Sequence, residues 1–205
     1  MFQQAEYHQA LRHFQDAINT DPKDPDGYYN LAATYHRLGV LENRQSDLDT
    51  AENYYHQCLD KDENHRECYR GLAVLLVEQG RSDDAYRLIE GWVEQRPDSA
   101  DAKIELARLC EEHKCQSDAK DHLIDALKID PDNPRALAAL GKIREEMGDP
   151  AQALEDYQRS LEGDRFQMQV ASRASALRSK MGPKLWSTAP DSGTRLVDRE
   201  TPPLR

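Results

Sequence analysis

Apolar residues along this chain recur every third or fourth position, the spacing of one helix face, and glycine and proline break the pattern at regular intervals. The run from 140 to 157, LGKIREEMGDPAQALEDY, shows the unit in full. Leu140 and Ile143 lie on one side of a helix, Gly148 has the backbone freedom to stop it, and Pro150 fits the first turn of a second helix, where its missing N–H costs nothing. The expected element is a helical hairpin. Gly141 on its first helix and Ala153 on its second are small enough to let two antiparallel backbones approach closely. Such a hairpin has an apolar face that it cannot cover by itself, so it needs neighbours on both sides.

The neighbours recur on a constant ruler of thirty-four positions, which separates Ala85 from Ala119, Ala119 from Ala153, and Pro97 from Pro131. A leucine followed by a small residue returns at Leu72-Ala73, Leu106-Ala107 and Leu140-Gly141, and Gly80 closes a first helix as Gly148 does. Tyr28, Leu31, Ala32, Tyr35 and Gly39 fall on one first helix, with Ala51 and Tyr55 on its second; Ala10, Phe14, Ala17 and Pro22 fall on an earlier second helix. Together these residues resemble the tetratricopeptide repeat (TPR) family. The resemblance implies an all-α fold: a right-handed superhelical α-solenoid of antiparallel helix hairpins with a C-terminal capping helix. Residues 1–182 then form one solenoid, with a partial repeat at 1–22, repeats at about 25–63, 66–97, 100–131 and 134–165, and the capping helix at 168–181. Residues 183–205, rich in Ser, Pro, Asp and Arg, are expected to be a disordered tail.

The chain departs from its ruler in three places. Residues 6–19 read as a second helix whose partner would precede Met1, so a longer native chain is expected. Its open edge would expose Leu11 and Phe14, each forfeiting roughly 1.5–3 kcal/mol in water, and would favour a homo-oligomer joined there. The step from Ala10 to Ala51 overshoots the ruler by seven positions, and the excess falls in VLENRQSDLD. It is read as one added turn on each helix of that hairpin, the alternative being a protrusion used in recognition. Trp92 stands where Ala17 and Ala126 offer a small contact to the next first helix; it is read as a core residue, with Ala102 supplying the space.

Charge narrows the choice of partner. With 38 acidic and 27 basic residues the net charge is −11, which argues against nucleic acid or an anionic membrane surface. Residues 164–205 carry eight Lys/Arg against four Asp/Glu, leaving −15 on residues 1–163. A cationic tail folding back on the acidic body, anchored by Trp186, is therefore a further expectation, weakened by salt screening. No run approaches a membrane span, and no apolar core follows the N-terminus as in a signal peptide. That leans toward the cytoplasm, although a chain expected to start late would hide a signal peptide.

Candidate chemistry is sparse. Seven histidines are scattered, no hydroxyl or thiol stands in a nucleophile motif, and neither a glycine-rich phosphate loop nor His-Glu-x2-His occurs. An enzyme is not expected and no cofactor is assigned. Cys110-x2-His113-x-Cys115 falls at a helix end and the following loop, without the paired turns of a structural zinc site, and is not read as a metal centre. Cys58 and Cys68 lie on consecutive helices, where they either bridge or sit as buried small hydrophobes; free buried thiols are the preferred reading.

Binding remains. In the family that the sequence resembles, first helices line a concave surface that holds a peptide. The ruler places Tyr29, Asn30, Ala33 and His36, then Arg70 and Val74, then Ile104 and Arg108, then Ala138 and Lys142 on that surface. Apolar spots alternate there with Arg70, Arg108 and Lys142, cations suited to the carboxylates of a ligand. Some family members clamp a chaperone's C-terminal carboxylate with Lys, Asn and Arg on three first helices. Asn30 matches the middle Asn, but Glu67 and Gly71 stand where cations are needed, so the clamp is rejected. The expected partner is a protein or peptide segment held by a non-catalytic scaffold. The alternatives are a docking region of a larger enzyme, or a subunit that self-assembles through its ends.

Overall fold

The computed structural model describes residues 2–182, with side chains from Glu6 onward; the expected tail and its Trp186 lie outside that range. Ten helices fill the described residues: α1 (Phe2–Thr20), α2 (Pro25–Glu42), α3 (Gln45–Lys61), α4 (Arg66–Glu78), α5 (Ser82–Gln95), α6 (Ala100–Glu112), α7 (Gln116–Ile129), α8 (Pro134–Glu146), α9 (Pro150–Gly163) and α10 (Met168–Met181). Four hairpins, α2/α3, α4/α5, α6/α7 and α8/α9, stack in chain order, and α2, α4 and α6 also touch one another as an inner layer.

The helix starts follow from local chemistry. Asp24, Ser99, Asn133 and Asp149 each accept a backbone N–H of the helix that follows, and proline opens α2, α8 and α9. Each hairpin turn needs one left-handed residue. Gly80 and Gly148 supply it at φ 76° and 86°, while Asn43 and Lys114 take the same conformation at φ 51° and 63°. The seven additional residues lengthen both helices of the first hairpin: α2 has 18 residues and α3 has 17, against 13 and 14 in the next pair. Val40 and Leu41 are exposed at that extended end.

One residue pair, ten positions apart, recurs at each junction between repeats: Cys58 with Cys68, Trp92 with Ala102, Ala126 with Ala136, and Ser160 with Val170. Each junction is filled differently. Trp92 is 2 % exposed and stacks on Tyr69 with ring centroids 4.1 Å apart, in the same core cluster as the fully buried Ala102. Ser160 turns its hydroxyl to the Pro134 carbonyl at 2.7 Å and accepts from Gln167 Nε2 at 3.0 Å.

The first junction corrects the sequence reading. Cys58 and Cys68 are a disulfide with Cα atoms 6.6 Å apart, not two free thiols. The repeat period says that two helices are neighbours but not whether two sulfurs face each other across them. Closing so short a loop is worth about 3 kcal/mol in the chain-entropy account. A phosphine reductant is therefore expected to lower the urea midpoint of unfolding markedly in wild type and not at all in Cys58→Ala/Cys68→Ala. Equal sensitivity of the two proteins would refute the bridge.

The other correction is at α1. Ala17 is exposed and Ile18 is buried, its Cγ1 only 3.0 Å from where a Cβ on Gly27 would sit. Leu11 and Phe14 are half-buried against the first core cluster and not left in water. With no hairpin partner among the described residues, α1 packs onto α2, and Gln15 accepts from the Tyr54 hydroxyl of α3 at 3.4 Å. The two residues that motivated self-association, Leu11 and Phe14, are thereby partly covered. At the other end, Ala174 and Leu177 of α10 are buried and Val170 and Met181 pack beside them. Arg173 ties α10 to the last repeat through Glu145 at 3.1 Å and the Tyr157 hydroxyl at 3.4 Å.

Candidate partner-binding groove

The inner helices α2, α4, α6 and α8 carry every residue expected in the groove. Six of the ten come together in clefts. Ala33 and His36 line one of about 200 Å³ with Arg37, Val40, Tyr55 and Glu78. Arg70, Ile104 and Arg108 line a second, and Arg108 and Lys142 border a third of about 420 Å³; these two share Arg108 and Glu111. Tyr29 is drawn inward instead, its ring 5.6 Å from that of His65. Asn30 is half-buried and its backbone carbonyl accepts from the Thr34 hydroxyl at 2.7 Å; Val74 and Ala138 are half-buried outside these clefts, and Ala139 takes the place expected for Ala138.

The cations are not equivalent. Arg108 already donates to Glu105 at 2.9 Å and pairs with Glu112, and Lys142 donates to Glu111 at 2.9 Å. Arg70 is exposed and has no ion-pair partner among the described residues. An ion-pair ladder runs beside it across three inner helices. Arg66 of α4 reaches Asp101 of α6 at 3.4 Å, Arg135 of α8 holds the same Asp101 at 2.7 Å, and Arg135 also pairs with Glu105. Glu105 is completely buried, so both its arginines are needed to offset its lost hydration. At the start of the ladder, burial is the largest single influence on Glu67 and works against its ionisation, but the hydrogen bond and charge of Arg66 together with a backbone hydrogen bond hold the carboxyl below its usual range.

Sequence reading missed Tyr55, Glu78, Glu105 and Arg135 as groove residues. Tyr55 belongs to an outer helix yet reaches the groove because Gly71 stands in its path: a Cβ there would lie 2.5–2.7 Å from the Tyr55 ring and hydroxyl. Its hydroxyl lies 3.4 Å from His36 Nδ1, His36 Nε2 donates to Glu78 at 2.9 Å, and burial raises the Tyr55 pKa. One signal for the ladder was available: Asp101 and Arg135 are opposite charges one full repeat apart, hence at equivalent places on successive inner helices.

Models of the tetratricopeptide repeat match residues 1–39, 43–109 and 117–167. Among curated proteins, Protein O-mannosyl-transferase TMTC3 of Homo sapiens is 25% identical over 165 residues, covering 76% of this chain and 18% of its own length. Hsp70-Hsp90 organizing protein 2 of Arabidopsis thaliana is 26% identical over 98 residues, 48% of this chain and 16% of its own length. The chain thus spans less than a fifth of these relatives. Among solved structures, TTC0263, a thermophilic TPR protein in Thermus thermophilus, superposes with a TM-score of 0.63 at 21% identity over 86% of this chain and 92% of that one. YrrB, described as a TPR protein with an unusual peptide-binding site, gives 0.50 at 16% identity over 83% and 84%. No described helix is long and apolar enough to cross a membrane. Stacked hairpins and an inner layer of first helices make an all-α solenoid of the kind that serves as a protein-interaction scaffold, and with repeat models matching along its length this chain belongs to the tetratricopeptide repeat family.

Proposed function

We infer that the chain is a non-catalytic scaffold that holds an extended or helical protein segment against its inner helices, with Arg70 as the cation that meets a carboxylate of the ligand. The observation that carries this reading is the contrast among the three cations that the repeat spacing placed in the groove: Arg108 and Lys142 are spent on the protein's own acids, whereas Arg70 is exposed beside the apolar wall of Ile104 and Ala107. Arginine offers a carboxylate two parallel donors, worth about 1.5–3 kcal/mol for a charge-assisted bond. The acidic neighbours Glu78, Glu111 and Glu112 disfavour a ligand that is acidic throughout and favour one with a single carboxylate among apolar residues.

The test is a phage-displayed peptide library panned on the whole chain. The expected outcome is a consensus with one acidic residue among apolar ones, whose binding Arg70→Glu weakens at least tenfold, about 1.4 kcal/mol. Arg87→Glu on the outer helix α5 should leave it unchanged. Peptides that bind Arg70→Glu as well as wild type would overturn the reading. The carboxylate clamp of chaperone-binding relatives is not part of the proposal, since Glu67 and Gly71 occupy its cationic positions.

A second reading has one observation in its favour. The match to an O-mannosyl-transferase, of which this chain spans 18%, suits a docking region within a larger enzyme. A catalytic domain in the same open reading frame would favour it, and the groove would then serve substrate capture in place of free-standing assembly.

A further inference from the structure

Cys58, His65 and Cys68 are brought together at the junction of the first two hairpins. All three are buried, and their ligand atoms lie within 4.8 Å of one another. We propose that this cluster is a redox-gated metal site: closed as the Cys58–Cys68 disulfide, and, once reduced, a two-thiolate, one-imidazole site for Zn²⁺.

Two features of His65 go beyond what a disulfide staple requires. His65, Ser99 and Asn133 occupy the same place in successive repeats, each as the cap of an inner helix. Capping asks only for an acceptor, which Ser99 and Asn133 supply; in the repeat that carries the cysteine pair the acceptor is an imidazole, His65 Nδ1, receiving the Cys68 N–H at 3.2 Å. The far nitrogen of that ring is also held, with His65 Nε2 donating to Asp26 at 3.0 Å. That bond fixes the proton on Nε2; the single Nδ1 lone pair, on the side of the cysteines, accepts the Cys68 N–H while the disulfide is closed, and a bound ion would take it in place of that cap bond. A carboxylate behind the ring of a ligating histidine is the usual way proteins orient such a ligand and raise its basicity.

The chemistry balances. A dithiol reductant attacks one sulfur, the Cys58–Cys68 bond breaks, and two electrons pass to the cysteines. The reductant leaves as its own disulfide, and each cysteine gains a proton. Cation binding then expels both thiol protons to solvent. Two thiolates with Zn²⁺ make a neutral unit, which suits a buried site far better than two bare thiolates would. Soft sulfur and imidazole donors select zinc over magnesium or calcium, and three protein ligands leave one tetrahedral position for water. The Cα separation of 6.6 Å lets the sulfurs move apart around an ion by side-chain rotation. In either state α3 stays joined to α4, by a covalent bond or through the metal.

Cobalt reports on such a site. The whole chain carrying Cys110→Ser/Cys115→Ser, which removes the other thiols, is titrated with Co²⁺ in a phosphine reductant and again after oxidation. The reduced protein should develop a thiolate-to-cobalt charge-transfer band that saturates at one equivalent and is bleached by Zn²⁺; the oxidised protein should develop none. His65→Asn, which keeps the cap as Asn133 does, should weaken cobalt binding at least tenfold, and Asp26→Asn by about tenfold to a hundredfold. X-ray absorption at the cobalt edge of the otherwise wild-type complex should count two sulfurs and one imidazole, a readout that needs no ligand variant to fold. A reduced protein without the band, His65→Asn binding like its parent, or any other ligand count would overturn the proposal.

Discussion

Trp92→Ala is expected to lower the unfolding free energy by roughly 3–5 kcal/mol, the range for removing a large buried aromatic side chain. For a domain of this size that is a fall in thermal midpoint of about 10 °C. Two losses combine. The indole is 2 % exposed and fills the junction between α5 and α6, so its removal leaves a cavity; and its face-to-face stack on Tyr69, 5° from parallel, goes with it. Trp92→Phe separates the two. It keeps a ring for Tyr69 and removes the buried indole N–H, which has no hydrogen-bond partner among the described residues, so it should cost distinctly less than alanine. An alanine variant melting within a degree or two of wild type would show that this junction does not depend on its tryptophan.

Arg144→Ala should be comparably damaging, by about 3–5 kcal/mol, because it strands a charge. Asp156 of α9 is 3 % exposed, and Arg144 of α8 donates to both its oxygens from Nη1, at 2.8 and 2.7 Å. Burial already raises the Asp156 pKa above the usual carboxylate range, with Arg144 pulling it back. Without Arg144 it rises further. A carboxyl whose folded pKa exceeds its unfolded pKa stabilises the fold below the unfolded value and loses that contribution as pH climbs through the folded value. The gap between Arg144→Ala and wild type should therefore be widest near neutral pH and narrow in mild acid, as denaturant midpoints across pH would register. Arg144→Leu/Asp156→Leu, which removes both charges, should recover most of the loss. A gap of constant size from neutral to acid pH would mean that Asp156 is not the stranded group.

About half of the candidate groove could be read from the chain before folding. Ala33, His36, Arg70, Ile104, Arg108 and Lys142 are found in its clefts because the inner helices present the same outward face once per repeat. Tyr55 could not be placed there by period alone. It reaches the groove through a gap that exists only where Gly71 of the next hairpin lies against it. The pairing of Lys142 with Glu111 was hidden for a related reason: the two fall short of a full repeat in spacing and meet only when α6 and α8 lie side by side. Likewise the exposure of Ala17 reflects which surface α1 found available, which no count along α1 could reveal.

By itself the amino-acid order determined the helices, their turns and their stacking, because apolar spacing, caps such as Asn133 and left-handed stops such as Gly148 act within a few residues or repeat at a constant interval. Tertiary structure alone decided which side chains meet across a junction. Cys58 bridges Cys68 with His65 beside them, Glu105 is sealed between two arginines, and Arg70 is left facing outward. Those outcomes depend on distances of a few ångströms between different helices, and periodicity names the neighbours without measuring the space between them.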